Sequence, residues 1–299
     1  MARFSGPEKQ ALRVIKAIQQ SGALKSTRTG DNYKNRLLQV AKSDYLKKHK
    51  IRLHDLSPAQ AIEYLEIRGQ DVGQKTLDME RQAIQSMLRH VTQLLKPKET
   101  LKVIHSAKEQ ILTSRAYTPE QIKLIQQAQT KRNSLSTKIA YAAGLRAHEL
   151  LTLRPAKEQA SDTHRDKEKS PHKFKGREGQ LYTVKGKGGL TREIIIPNHL
   201  AQQLEATRLE KPQAYTDRTV HYTQYYNING GNRWSRSFTR ASNKQLTWSE
   251  GAHGVRHRYA QERMIELQVN YKINREEALK AVSQEMGHFR PGITEVYLR

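Results

Sequence analysis

Four clusters along the chain combine residue types that can act on a phosphate ester. Arg146 follows a glycine in Gly144-Leu145-Arg146-Ala147-His148-Glu149-Leu150, where a guanidinium can present its planar fork to phosphate oxygens. Lys187 sits in Lys185-Gly186-Lys187-Gly188-Gly189, a turn whose glycines let the backbone approach a ligand and whose ammonium can donate a proton. His253 and Arg256 stand three apart in His253-Gly254-Val255-Arg256-His257 and share one helix face, pairing a titratable imidazole with a fixed cation. Tyr297 follows Gly287-His288 and offers a phenol, a group that ordinarily titrates near ~10 and is a weak nucleophile until its proton is drawn off. Each cluster also has a plain reading. Arg146 pairs with Glu149 on a helix surface, Lys187 is a solvated turn, His253 to His257 is a basic helix face, and Tyr297 is an aromatic anchor. No metal is expected, because His253 and His257 lack the glutamate of HExxH and no third ligand presents itself. The phosphate-binding pattern GxxxxGK[ST] is absent, so no nucleotide and no other cofactor is implied.

The elements that must position these residues fall into two groups. The first ~95 residues read as four helices joined by short turns. Leu12, Ile15 and Ile18 recur at helical spacing, Asp31 is placed to cap a second helix, and Ser57-Pro58 starts a third. A fourth spans Lys75 to Leu95. Lys96 to Arg115 is a connector, and Thr118-Pro119-Glu120-Gln121 opens a new helix with a capping box. The boundary therefore falls near residue 113, giving a helical unit with linker at 1–112 and a mixed unit at 113–299. In the second unit a helix from Ser134 to Ala143 ends at Gly144, and another runs from Arg146 through Leu153. Pro155 to Gly179 is polar loop or insertion. Leu181 to Val184 and Glu193 to Ile196 form two strands around the glycine turn. A helix from Asn198 to Leu209, a tyrosine-rich loop from Tyr215 to Asn232, and helices at Arg233–Asn243, His253–Leu267, Asn274–Met286 and Ile293–Arg299 complete it. The fold class is mainly α with a small β-hairpin or sheet.

Composition narrows the partner. Lys plus Arg number 53 against 29 Asp plus Glu, a net charge of +24 with a pI near 10.1. The excess runs the length of the chain, so it is a surface property that draws polyanions by counterion release. There are no cysteines, which rules out disulfides and thiolate metal sites. No stretch approaches the ~20 apolar residues of a membrane span, and the N-terminus lacks a signal-peptide core. These features place the protein in the cytoplasm, on nucleic acid.

Taken in order, the four clusters resemble the tyrosine recombinase, or phage integrase, family. Arg146 lies in a Gly-Leu-Arg-x-x-Glu-Leu motif. Lys187 lies in a Gly-Lys-Gly hairpin followed by Arg192 and a strand ending at Pro197. His253, Arg256 and His257 match His-x-x-Arg-His, and Gly287-His288, Thr294 and Tyr297 match the closing motif with its nine-residue step from His288 to Tyr297. The match spans residues 144 to 297 and is closest to integrases of prophages and integrative elements. The helical unit is similar in general pattern to the family's core-binding domain.

The resemblance implies a DNA transesterification without metal or ATP. Tyr297 is then the nucleophile, His253 the proton acceptor or relay, Arg146, Arg256 and His288 the oxyanion clamp, and Lys187 the general acid. It implies double-stranded DNA attachment sites, a tetramer assembled on DNA, and accessory DNA-bending proteins. Candidate DNA-gripping residues are Arg233, Arg236 and Arg240 on one helix and Lys167, Lys169, Lys173, Lys175 and Arg177 in the insertion. Alternative readings are a topoisomerase-like cut and reseal, or a basic DNA-binding protein without catalysis. Three departures from the family pattern stand out: the long stretch between Arg146 and Lys187, Met286 where leucine is usual, and only Leu298 and Arg299 after the tyrosine. The last leads us to expect a tyrosine segment loosely held until DNA or a neighbour docks it.

Overall fold

The computed structural model describes residues 5–24, 26–110, 112–163, 169–186, 188–288 and 290–299. It divides into two compact units, Met1–Ile111 and Leu112–Arg299. The first unit is helical, with α1 (Pro7–Gln20), α2 (Thr27–Lys42), the short α3 (Asp44–Lys48), α4 (Pro58–Arg68) and α5 (Gln74–His90). Ile15, Ile18, Leu37, Val40, Leu65, Ile84 and Leu88 fill its core, while Leu12 points to solvent. Ser57 and Gln60 close a capping box at the start of α4. Asp31 is not a cap: α2 begins four residues earlier and runs through Gly30, whose missing side chain leaves room for Gln19 and Leu24. Glu80 lies fully buried, where Tyr64 Oη donates to it at 2.8 Å and Arg68 Nε at 3.2 Å. That carboxylate ties α4 to α5.

The second unit opens with α6 (Pro119–Gln127), capped by the Thr118–Gln121 box, and α7 (Lys131–Ala143). Next come a three-stranded antiparallel sheet in the order β1 (Arg154–Pro155), β2 (Gln180–Lys185), β3 (Thr191–Ile196), and α8 (Asn198–Glu205). Tyr182 pairs with Ile194 and Val184 with Arg192 across β2 and β3. Cross-strand partners share a face, so Arg192 joins Val184 and Ile194 on the side turned to the core. After the β4–β5 hairpin (Arg208–Asp217, Val220–Tyr226) come α9 (Gly231–Leu246), α10 (His253–Ile265), a π-turn (Glu266–Asn270), α11 (Arg275–Glu285) and α12 (Pro291–Glu295). One apolar cluster joins α6, α7, α9 and the sheet; a second joins α10, α11 and Tyr297.

Three expected elements differ. The helix expected from Arg146 to Leu153 is a turn with a single 3-10 stretch, Glu149–Leu151. Gly144 turns the chain with φ +58, the Glu149 carboxylate takes the Arg146 N–H, and Leu150, Leu151 and Leu153 all point inward. The expected tyrosine-rich loop is half of β4–β5. Its two-residue turn is Arg218-Thr219, both at positive φ, so the usual Asn-Gly signal was missing. The available signal was the β-branched and aromatic run Val220-His221-Tyr222-Thr223. The last helix ends at Glu295, and Tyr297 sits in the turn beyond it.

Gly144 is required twice over. Its φ of +58 is left-handed, and a Cβ there would lie 2.5 Å from the Tyr259 ring. Gly144→Ala should therefore cost more than the roughly 1–2 kcal/mol of left-handed backbone strain. A urea melt of the Leu112–Arg299 unit should show a clearly lower midpoint, and an unchanged midpoint would contradict this account.

Candidate active site

Tyr297, His253, Arg256, His288 and Arg146 converge. The first turn of α10 carries His253 and Arg256 on the expected shared face. His253 Nε2 lies 3.0 Å from Tyr297 Oη, and the two ring centroids are 5.2 Å apart. His257 and His288 flank the same phenol, at 4.7 and 5.2 Å between centroids. The Arg256 guanidinium lies 5.6 Å from the tyrosine ring centroid. Tyr297 itself is buried, at 8% exposure, and Leu298 packs on the same cluster. The tyrosine segment is held in place within this chain, contrary to the expectation that it would be loose.

The arginines are fixed by one carboxylate and three carbonyls. Glu149 is fully buried; Arg146 Nη1 and Arg192 Nη2 each donate to it at 2.8 Å, and Arg256 Nη1 is 3.9 Å away. Burial alone would raise this carboxyl's pKa. The charges of Arg192, Arg256 and Arg146, with the Arg146 N–H, outweigh burial and hold it at about 2. Arg256 also donates to the Gly144 and Met286 carbonyls. Burial and Arg146 both work against the Arg256 charge, and Glu149 works for it.

His288 is held on both sides. Its Nε2 lies 3.0 Å from Arg256 Nη2 and its Nδ1 lies 2.8 Å from Thr294 Oγ1. A guanidinium only donates, so Nε2 accepts and Nδ1–H donates to Thr294. Ser283 Oγ donates to the same threonine oxygen at 2.7 Å. Burial and then Arg256 pull His253 down to about 4 and His288 to about 3; burial and Arg115 pull His257 to about 4. All three rings are thus neutral near pH 7, with arginines beside them.

No protein-family model matches the chain, and no curated protein is similar to it in sequence. Solved structures do match over its whole length. The XerH site-specific recombinase bound to palindromic difH substrate aligns with 100% of this chain and 94% of its own, at 13% identity and a TM-score of 0.60. A lambda integrase dimer bound to a COC' core site covers 97% of this chain and 94% of its own, at 16% identity and 0.58. The Tn1549 transposon integrase in complex with transposon right end DNA covers 99% and 95%, at 15% identity and 0.56. The chain has the tyrosine recombinase fold.

Within that recombinase fold the remaining candidates fall in different places. Lys187 and Lys167 lie outside the described residues; beside Lys187, a Cβ on Gly188 would meet nothing within 4 Å. Arg233, Arg236 and Arg240 form one exposed stripe on α9, opposite the buried Trp234 and Phe238. Among the described residues none of the three has an ion pair. They line an open cleft of about 720 Å3 with Arg218, Lys244, Tyr215 and Asn133. The insertion behaves otherwise. Lys173 pairs with Glu193 at 3.1 Å and Arg177 with Glu266 at 2.6 Å, while Lys175 is exposed above the Tyr271 ring. The motifs assign no role to Arg192 or Glu149, and both prove central. The signal for Arg192 was its place in the inward register of Ile194 and Ile196.

These neutral histidines make stability depend on pH with a definite sign. Each ring's folded pKa lies below its ordinary 6.5, so its contribution is complete above pH 6.5 and is lost as pH falls through about 4 to 3. Glu149 adds a second stage, complete above 4.5 and lost as pH falls toward about 2. Calorimetry of the Leu112–Arg299 unit should show Tm declining from roughly pH 6.5 downward. A flat Tm down to roughly pH 4.5 would contradict neutral burial of the three rings.

Proposed function

We propose that this protein is a site-specific DNA recombinase of the integrase type, which cuts and rejoins DNA through a covalent 3′-phosphotyrosyl intermediate. The observation that carries the reading is the 3.0 Å contact between Tyr297 Oη and His253 Nε2, set beside the Arg146–Arg256 pair. A nucleophile, a proton acceptor and an oxyanion clamp share one small volume, as covalent phosphoryl transfer requires.

The phenol gives its proton to His253 while its oxygen attacks phosphorus. The P–O5′ bond breaks, and the leaving 5′-oxygen takes a proton from Lys187. A neutral imidazole at about 4 is a good hydrogen-bond acceptor but a weak base. A bound phosphodiester carries one negative charge and offsets Arg256 and Arg146, so DNA binding itself raises the pKa of His253. His288 Nε2 is occupied by Arg256, so His288 donates to a phosphate oxygen only after gaining a proton or exchanging tautomers. The second DNA end reverses the steps, and the bond energy is kept in the phosphotyrosyl link. The α9 arginines and the exposed Lys175 grip phosphates of the attachment-site duplex, and they position the DNA without reading its sequence. Rejoining two duplexes calls for a tetramer on DNA, with bending proteins as helpers and a mobile element as the natural cargo.

Two experiments test this. Incubated with a nicked attachment-site duplex, the wild type should trap a covalent protein–DNA adduct. Tyr297→Phe should trap none, and an adduct from the phenylalanine variant would assign the nucleophile elsewhere. Lys187→Ala should slow cleavage by about 10²–10⁴-fold on ordinary DNA. A 5′-bridging phosphorothiolate, whose sulfur leaves without a proton, should restore most of the rate. Equal slowing on both substrates would remove Lys187 from the general-acid role.

A further inference from the structure

The insertion and the buried Glu285 take no part in the chemistry above, yet they are joined to each other and to the arginines. Residues 170–177 lie as a strap across α10, α11 and β3. Ser170 N–H donates to Gln284 Oε1 at 2.8 Å and Phe174 N–H to Glu285 Oε1 at 2.8 Å. Lys173 and Arg177 make the ion pairs already given, and Arg263 Nη2 donates to the Lys175 carbonyl at 3.3 Å. The Glu285 carboxylate, 1% exposed, also accepts from Tyr259 Oη at 2.8 Å, Arg263 Nε at 2.9 Å and Arg263 Nη2 at 2.7 Å. Its main chain faces the other way. The Glu285 carbonyl accepts from Arg192 Nη1 at 2.5 Å, and the next carbonyl, Met286, accepts from Arg256 and from Arg146 at 3.4 Å.

These carbonyls end α11, where the last carbonyls of a helix lack partners within it and carry its negative pole. They suit guanidinium donors, but a helix end frays unless something holds it. Here the strap and Arg263 hold it by the side chain of the last helical residue. Gly287, at φ +68, then passes so close to Arg192 that a Cβ would lie 2.6 Å from its Cδ. Any shift of the helix end is therefore felt by the arginines.

We propose that Glu285 is a positioning residue: the 170–177 strap fixes the end of α11 through its carboxylate, and its backbone turn sets the direction of Arg146, Arg192 and Arg256. This rests on the reading of Arg146 and Arg256 as a phosphate clamp. The insertion then belongs to the active site as a brace, while its exposed Lys175 remains placed to grip DNA.

The test compares two nicked duplexes, one with the normal scissile phosphodiester and one with a methylphosphonate there. The methyl group replaces a charged oxygen, so cleavage depends less on the clamp. Glu285→Gln keeps the side chain's shape and removes its charge. It should lower single-turnover cleavage of the phosphodiester by up to about a hundredfold, the order that a misplacement of ~1 Å costs. DNA affinity should be unchanged and the loss on the methylphosphonate much smaller. No loss, or equal loss on both substrates, would overturn the positioning role. If Glu285→Gln does not melt cooperatively, Arg177→Ala, at the partly exposed edge of the strap, decides. It should slow the phosphodiester several-fold and spare the methylphosphonate, and unchanged rates on both would overturn the proposal. A wild type that forms no adduct in the same assay is a different result, because it removes the recombinase reading itself.

Discussion

A single buried carboxylate decides whether the site can exist. Arg146, Arg192 and Arg256 come from a turn, a strand and a helix, and two of them are essentially removed from water. Burying one unpaired charge costs several kcal/mol after relaxation. Three guanidiniums side by side would push those elements apart. Glu149 makes the cluster tolerable because its two oxygens reach all three, and because its own backbone turn places Arg146 beside it. Losing one partner of a buried pair typically costs about 3–5 kcal/mol, so removing Glu149 would threaten the fold of the unit as well as the geometry of the site.

The rest of the unit arranges what Glu149 leaves unfinished. Each guanidinium has more donors than one carboxylate can accept, and main-chain carbonyls take the surplus at Gly144, Glu285 and Met286. These are the points where a helix ends or the chain reverses, since only there are carbonyls unclaimed. Close approach follows from small residues. At Gly254 a Cβ would lie 2.3 Å from the Arg115 carbonyl, so the segment before α6 can lie directly against the start of α10, beside His253. Burial first, and then the positive charge beside them, keeps the histidines neutral, and neutral rings can pack around a neutral phenol without a desolvation penalty for charge.

How much of this was legible depended on whether a residue's role is local or tertiary. Arg146, His253, Arg256, His288 and Tyr297 could be read because their motifs carry fixed spacing, and the structure brings all five to one place. The capping boxes at Ser57 and Thr118 were legible because a cap is a local bargain between four neighbouring residues. Glu149 was not, because an Arg–Glu pair three apart looks the same on a surface as in a core. The β4–β5 turn escaped because Arg218 and Thr219 adopt a conformation usually left to glycine or asparagine. The insertion read as loose basic loop because its composition is polar. Its anchors, Gln284, Glu285 and Glu266, lie about a hundred residues away, beyond the reach of any periodicity. Lys173 shows the cost of reading charge from composition alone, since its ammonium is committed to Glu193 inside the chain.

Charge balance links the resting site to the reaction it is proposed to run. Three guanidiniums face one carboxylate, which leaves two positive charges; Glu285 does not reduce them, because Arg263 already neutralises it. A phosphodiester brings one negative charge in its ground state. Attack by the tyrosine oxygen, with its proton passed to His253, produces a phosphorane whose non-bridging oxygens carry two. The proton passed to His253 adds one positive charge to the site as the phosphorane gains its second negative charge, so the net charge is unchanged and the gain is local. The added charge on the non-bridging oxygens meets the guanidiniums already fixed beside them, which favours the transition state over the ground state. Neutral histidines are part of that balance. Three imidazolium rings would over-neutralise the substrate and hold it too tightly before reaction. On this view the low imidazole pKa values leave the resting surplus to the guanidiniums, and an imidazolium appears at His253 only as the tyrosine proton is transferred.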